Sequence, residues 1–200
     1  MRKGELTRER IIAQAAPIFN KHGFAGSSMQ DVMEATGLEK GGLYRHFRSK
    51  EELAVEAFRY ALAGAVRLRT EKPDGTRSAL DELRSVVRRW VEAPSAVPGG
   101  CPLMNTAVDA DDGNTVLREL ARKGFAEWRE RLCGAVRAGM ESGEIREGTD
   151  PRRIANTIIA TLEGALMLSR LERNRVALED ARASLEVLID GISSRRDNVG

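Results

Sequence analysis

Apolar residues recur at three- and four-residue spacing along almost the whole chain, which predicts helices. Ile11, Ala15 and Phe19, with Ile12 and Ala16 beside them, mark one face of a first helix that begins after Thr7 and stops at Lys21-His22-Gly23. Phe24 follows the glycine, placed to fold back on Phe19, and Pro17 predicts a local bend because it removes one backbone hydrogen bond. Met29, Val32 and Met33 repeat until Gly37, and Ser28 with Asp31 three positions on is a capping pair for that second helix. A short third helix starts near Glu39 or Lys40. Its apolar positions, Leu43 and Phe47 with Leu38 just ahead, leave Lys40, Tyr44, Arg45 and His46 on other faces.

The fourth helix opens at Ser49 with Glu52 at its third position, a second capping box, and runs through Ala57, Phe58, Ala61, Ala65 and Leu68. Pro73, Asp74 and Gly75 place a turn at 70–76. Beyond it, Ser78 starts a helix striped by Leu80, Leu83, Val87, Trp90 and Val91. A Pro/Gly loop over 93–100 follows, then Pro102 at the first position of a helix carrying Leu103, Met104, Ala107 and Val108. Leu117, Leu120, Trp128, Leu132, Val136 and Met140 belong to a helix ending near Gly143, and Asp150-Pro151 caps the next, with Ile154, Ile158, Ile159, Leu162 and Leu166. The last helix carries Leu178, Ala181, Leu185, Leu188 and Ile192. These final two are apolar on more than one face, a surplus that predicts a second buried contact, with another subunit. No run alternates apolar and polar residues between turn signals, so the fold class is all-α with about nine helices.

Two helices joined by a short glycine-containing turn, the second bearing exposed donors, is the layout that puts a recognition helix in a DNA major groove. In more detail, Phe19 to Phe24, Ser28 to Thr36, Gly37 to Gly41, Leu43 to Phe47 and Ser49 to Leu53 form a nearly contiguous pattern that resembles the DNA-binding domain of the TetR family of bacterial transcriptional regulators. Glu39 departs from the serine usual in that pattern. The resemblance implies a helix-turn-helix DNA-binding domain over 1–50, a connecting helix over 49–69 and a helical effector-binding and dimerisation domain over 70–193; the terminal residues 194–200 are expected to be disordered. It implies a homodimer joined through the last two helices, a double-stranded DNA operator as partner, and a small-molecule effector that releases a repressor from that operator. For DNA it assigns Ser28, Lys40, Gly41, Gly42, Tyr44, Arg45, His46 and Lys50: Tyr44, His46 and Lys50 match positions that hold phosphates, while Arg45 and Lys40 to Gly42 match positions near base edges, where an arginine can donate two bonds to a guanine. The glycines have a second explanation, easing the tight turn. The rival function is a small-molecule-binding protein or enzyme with an incidental helix-turn-helix.

Charge modifies this picture only slightly. Net charge is +2, but residues 1–50 hold nine Lys/Arg against five Asp/Glu, whereas the remainder holds twenty-three against twenty-five. The basic surplus lies at the N-terminal end, a modest footprint for nucleic acid. With 42% hydrophobic and 31% charged residues the chain has the composition of a soluble globular protein. No apolar run approaches the ~20 residues of a membrane span, and the start lacks a signal peptide's apolar stretch, so a cytoplasmic location is expected.

Candidate chemistry is sparse. Two histidines, His22 and His46, leave almost no material for a nucleophilic triad or a histidine metal site, so neither enzyme activity nor a cofactor or metal is expected. Asp109, Asp111 and Asp112 before Gly113 depart from a calcium loop in the glycine's place and in Leu120 standing where a bidentate glutamate belongs. Gly99-Gly100 lacks the strand and third glycine of a dinucleotide fingerprint. Trp90, Cys101, Met104, Trp128, Met140 and Met167 are candidates to line an effector pocket, with ordinary core packing as the alternative for each. Cys101 has two readings. At a helix N-cap the dipole favours a reactive thiolate, whereas a cysteine under a Pro/Gly loop can simply be packing; Cys133, mid-helix, lacks both the dipole and the loop.

Overall fold

The structure is a computed structural model describing residues 3–70 and 78–194. Nine helices run in order among the described residues: α1 (Lys3–His22), α2 (Met29–Thr36), α3 (Lys40–Tyr44), α4 (Lys50–Thr70), α5 (Ala79–Glu92), α6 (Pro102–Ala110), α7 (Thr115–Glu141), α8 (Pro151–Glu172) and α9 (Val176–Gly191). The only β pairing among them is an isolated bridge between Ile145 and Ser193. The turn expected over 70–76 lies, beyond Thr70, outside the described residues, as does the tail beyond Ser194.

Most local signals produce the helix ends they predict, but α1 begins at Lys3, one turn ahead of the start expected after Thr7. Ser28 accepts the Asp31 N–H while the Asp31 carboxylate accepts the Ser28 N–H, closing the box, and Gly37 ends α2 at φ 66°. Ser78 caps α5, and Asp150 accepts the N–H groups of Arg152 and Arg153 at the start of α8. At α4 the box is not reciprocal as expected: Ser49 Oγ accepts the Glu52 N–H at 3.1 Å, but the Glu52 carboxylate accepts from the N–H of Arg48, one residue earlier, at 2.8 Å. α1 continues unbroken through Pro17.

The chain divides into two compact units. One comprises residues 1–67 and 95–124, the other 68–94 and 125–200, so the boundaries fall inside α4 and α7. The grouping differs from the expected 70–193 domain: α6 and the start of α7 belong with the N-terminal helices. Polar anchoring explains it. Asn20 of α1 donates to the carbonyls of Pro98 and Gly100 at 3.0 and 3.2 Å, and Asn105 of α6 donates to the Asn20 and Gly99 carbonyls, each at 2.9 Å. Gly99 adopts φ 118°, and a Cβ there would sit 2.8 Å from the Asn20 carbonyl oxygen. The core of this unit is Ile11, Ala15, Val32, Leu43, Phe47, Leu53 and Ala57, which brings α1 to α4 together.

In the other unit, α8 packs on α9 and both pack on α5 around Leu83, Val87, Leu132, Ile158, Leu162, Leu185 and Ile189. Arg84 and Asp190 pair at 2.7 Å, and Arg175 donates to the Val91 carbonyl at 2.8 Å, which fixes α5 along α9. Among the described residues one helix, α8, is by length and composition alone long and apolar enough to cross a membrane. Here its apolar side fills the core of this unit.

Candidate nucleic-acid interface

α3 is short, five residues, and is set by burial of Leu43 and, just past its end, Phe47. The Arg8 guanidinium lies over the Phe47 ring, 4.7 Å from its centroid, and reaches Glu56 of α4 at 3.5 Å, so α1 braces the end of the recognition segment. With Leu43 and Phe47 inward, Lys40, Gly41, Tyr44 and Arg45 are exposed, while His46 is half-buried. Arg45 is the C-cap residue, so it and His46 stand at the helix's end. Glu39, at the N-cap, makes no side-chain cap bond, in keeping with its longer side chain.

The two glycines are not equivalent. Both keep ordinary negative φ, so neither is needed for backbone freedom. A Cβ on Gly42 would meet Leu38 at 3.7 Å, an ordinary packing distance, whereas a Cβ on Gly41 would meet nothing within 4 Å. Gly41 therefore bares the outer side of α3 without any internal requirement, although glycine costs a helix about 0.5–1 kcal/mol relative to alanine.

Two other expected DNA residues are engaged within the protein. Ser28 donates both its N–H and its hydroxyl to the Asp31 carboxylate, at 2.6 and 2.9 Å, so the cap occupies its donors. Asp31 is held below the usual carboxylate range, first by the Ser28 N–H and then by the Ser28 hydroxyl, with His22 and Lys50 contributing charge. Lys50 donates through Nζ to the Ser27 carbonyl at 2.8 Å and lies 4.2 Å from the centroid of the Phe24 ring. The Ser28–Asp31 cap was legible as a short-range motif. Lys50, by contrast, meets residues more than twenty positions away, for which no local signal exists.

The effector candidates do not form one cluster. Trp90 and Trp128 stack in the second unit, centroids 6.3 Å apart and planes 10° from parallel, with Phe125 continuing the stack and Met140 packed on the same core. Cys101 and Met104 lie at the start of α6, in the other unit. Met167 is 52% exposed on α8, which removes it from any interior lining. Cys101 is buried, as the packing alternative requires, and burial pushes the Cys133 thiol up, with Glu130 adding to the shift. A cleft that sequence reasoning did not find lies among α1, α4 and α6, lined by Phe19, Ala54, Ala57, Ala61, Asn105 and Asp109. Asp109, part of the acidic turn, accepts the Phe24 N–H at 2.6 Å. Among the described residues no group of His, Cys, Asp or Glu could hold a metal ion.

The chain is similar to known proteins along nearly its whole length. Residues 11–57 match a family profile described as bacterial regulatory proteins, tetR family, and residues 79–185 match one described as the tetracyclin repressor-like C-terminal domain. A crystal structure of a TetR transcriptional regulator from Chloroflexus aurantiacus is 44% identical, with a TM-score of 0.91 over 96% of this chain and 98% of that one. A TetR-family regulator from Cytophaga hutchinsonii is 36% identical, with a TM-score of 0.88 and the same coverage. The HTH-type transcriptional repressor DhaR of Mycobacterium sp. strain GP1 is 24% identical over 96% of this chain and 95% of its own.

Proposed function

The chain belongs to the TetR family, and on that premise we propose that it is a cytoplasmic homodimeric repressor that grips an operator with two copies of α3 and releases it when a small molecule binds the C-terminal helices. It is a DNA-binding transcriptional regulator rather than an enzyme. The observation that carries the DNA-reading role is the outer side of α3: exposed Lys40, Tyr44 and Arg45 beside Gly41, whose missing side chain faces open space. Arg45 reads a base edge with its two parallel donors, Lys40 and Gly41 lie closest to the bases, and Tyr44 and His46 reach phosphates. Gly42 is turned to Leu38, away from the open side that Gly41 presents. Ser28 contributes by capping α2.

The two subunits join through α8 and α9. Met167, Leu168 and Leu171 on α8 and Val176 and Val187 on α9 are exposed although their helices fill the core with their other sides. At Gly164 an added methyl would meet nothing within 4 Å, and its bare backbone lets two α8 helices approach closely. Two recognition helices related by a two-fold axis then meet successive major grooves about 34 Å apart, and an effector acts by favouring a spacing that does not fit them. Titrating the full chain against the DNA flanking its own gene, in a gel shift at several salt concentrations, is the test. Saturable binding that weakens as salt rises and survives competitor DNA is expected. Binding no stronger than to random duplex refutes the operator reading.

A further inference from the structure

The turn between α1 and α2, residues 23–28, is held from two sides. From α6, the Asp109 carboxylate accepts the Phe24 N–H at 2.6 Å and lies so close over Gly23 that a Cβ there would collide with it. From α4, Lys50 donates to the Ser27 carbonyl at 2.8 Å, and its ammonium rests on the face of the Phe24 ring. Ser27 is buried, and its hydroxyl donates to the Gly23 carbonyl at 2.6 Å. The next residue, Ser28, is the N-cap of α2. The ammonium thus grips the peptide immediately before the cap that starts α2, and α2 leads to α3 through only Gly37, Leu38 and Glu39. Lys50 is half-buried, and its ammonium, lying on a ring face and bonded to a carbonyl, is held more firmly than one fully in water.

We propose that Lys50 is a positioning residue for the recognition helix and not a phosphate contact. It acts through Ser27 and Phe24, fixing the start of α2 and with it the aim of α3, while Asp109 holds the other side of the same turn. The inference rests on the reading that α3 enters the operator.

The two roles leave different salt signatures. A phosphate contact releases counterions, so losing it from both subunits flattens the slope of log K against log salt by about 1.8, and it weakens specific and non-specific DNA alike. A positioning residue leaves the slope unchanged and removes specific affinity alone. The full-length chain, its Lys50→Met, Lys50→Arg and Phe24→Leu variants and the Lys50→Met/Phe24→Leu double variant are to be titrated by fluorescence anisotropy. The probes are a duplex selected from a random pool with wild-type protein and a scrambled duplex, from about 50 to 200 mM salt. Lys50→Met is expected to lose about tenfold or more for the selected duplex at every salt, with the wild-type slope and unchanged binding to the scrambled duplex. Lys50→Arg restores most of that loss, and Phe24→Leu adds little in the Lys50→Met background because both changes break one contact. A slope flattened by about 1.8 with both duplexes weakened equally overturns the proposal. So does a Lys50→Met variant that binds like wild type. Should Lys50→Met not fold, Phe24→Leu carries the question with the charge still in place: specific affinity falls if Lys50 positions and stays if it binds phosphate. A wild-type chain that selects no duplex refutes the operator reading itself, before any variant is compared.

Discussion

Replacing Gly41 with alanine should separate folding from DNA binding, because the two respond with opposite sign. Gly41 is the second residue of α3, keeps an ordinary helical φ, and has no heavy atom within 4 Å of where a Cβ would sit. The methyl therefore meets no neighbour and strains no torsion. What remains is the lower conformational entropy of the unfolded chain and better helix propensity, about 0.5–1 kcal/mol in favour of the folded state. For a chain of 200 residues that corresponds to a Tm higher by roughly 1–4 °C. On the proposed reading, the same methyl stands between the α3 backbone and the base edges in each of two half-sites. A loss of at least about 1.4 kcal/mol, tenfold in Kd, is expected. Gly42→Ala is the internal comparison: its methyl packs on Leu38, so it should also stabilise but cost less affinity. Thermal unfolding by circular dichroism and anisotropy titration on a selected operator read the two quantities. If Gly41→Ala is more stable yet binds as tightly as wild type, the open side of α3 does not face the groove. If it is less stable, the propensity argument is wrong.

Arg45→Ala is expected to relax preference at one base position at a cost of about 1–3 kcal/mol, read by competition among single-base operator variants; equal weakening of specific and non-specific DNA would refute base reading by Arg45. Leu171, 78% exposed, should accept a glutamate without loss of fold, so Leu171→Glu is expected to give folded monomers by light scattering; a stable dimer would exclude it from the seam. Leu185 is only 1% exposed, so a charge there is expected to unfold the second unit and says nothing of the dimer. Asp31 has a folded pKa below its ordinary value of 3.8, so the stability it confers through the Ser28 cap is fully present above that value and is lost as pH falls through the folded pKa. Denaturant titrations of wild type and Asp31→Asn should therefore draw together as pH falls from 3.8 through the folded pKa and stay apart at neutral pH; a gap that does not change with pH would remove the cap's electrostatic role.

Much of this protein is written in short-range patterns. Ser28 with Asp31, Gly37, Ser78 and Asp150-Pro151 each fix a helix end through atoms a few residues apart, and the 3.6-residue apolar repeat fixes which side of each helix turns inward. The helix-turn-helix was legible for that reason, since its parts are consecutive and its caps local. Long-range partners carry no such mark. That α6 groups with the N-terminal helices depends on Asn105 meeting Asn20, eighty-five positions apart, and that Lys50 faces inward depends on the Ser27 carbonyl and the Phe24 ring lying beneath it. The effector candidates scatter for the same cause: Trp90, Met104 and Met167 are each apolar on a helix, but only packing decides that one fills a core, one is half-buried on α6, and one is left on the surface. The two glycines of α3 are adjacent and identical in sequence, and only the neighbouring Leu38 side chain, present beside one and absent beside the other, tells them apart.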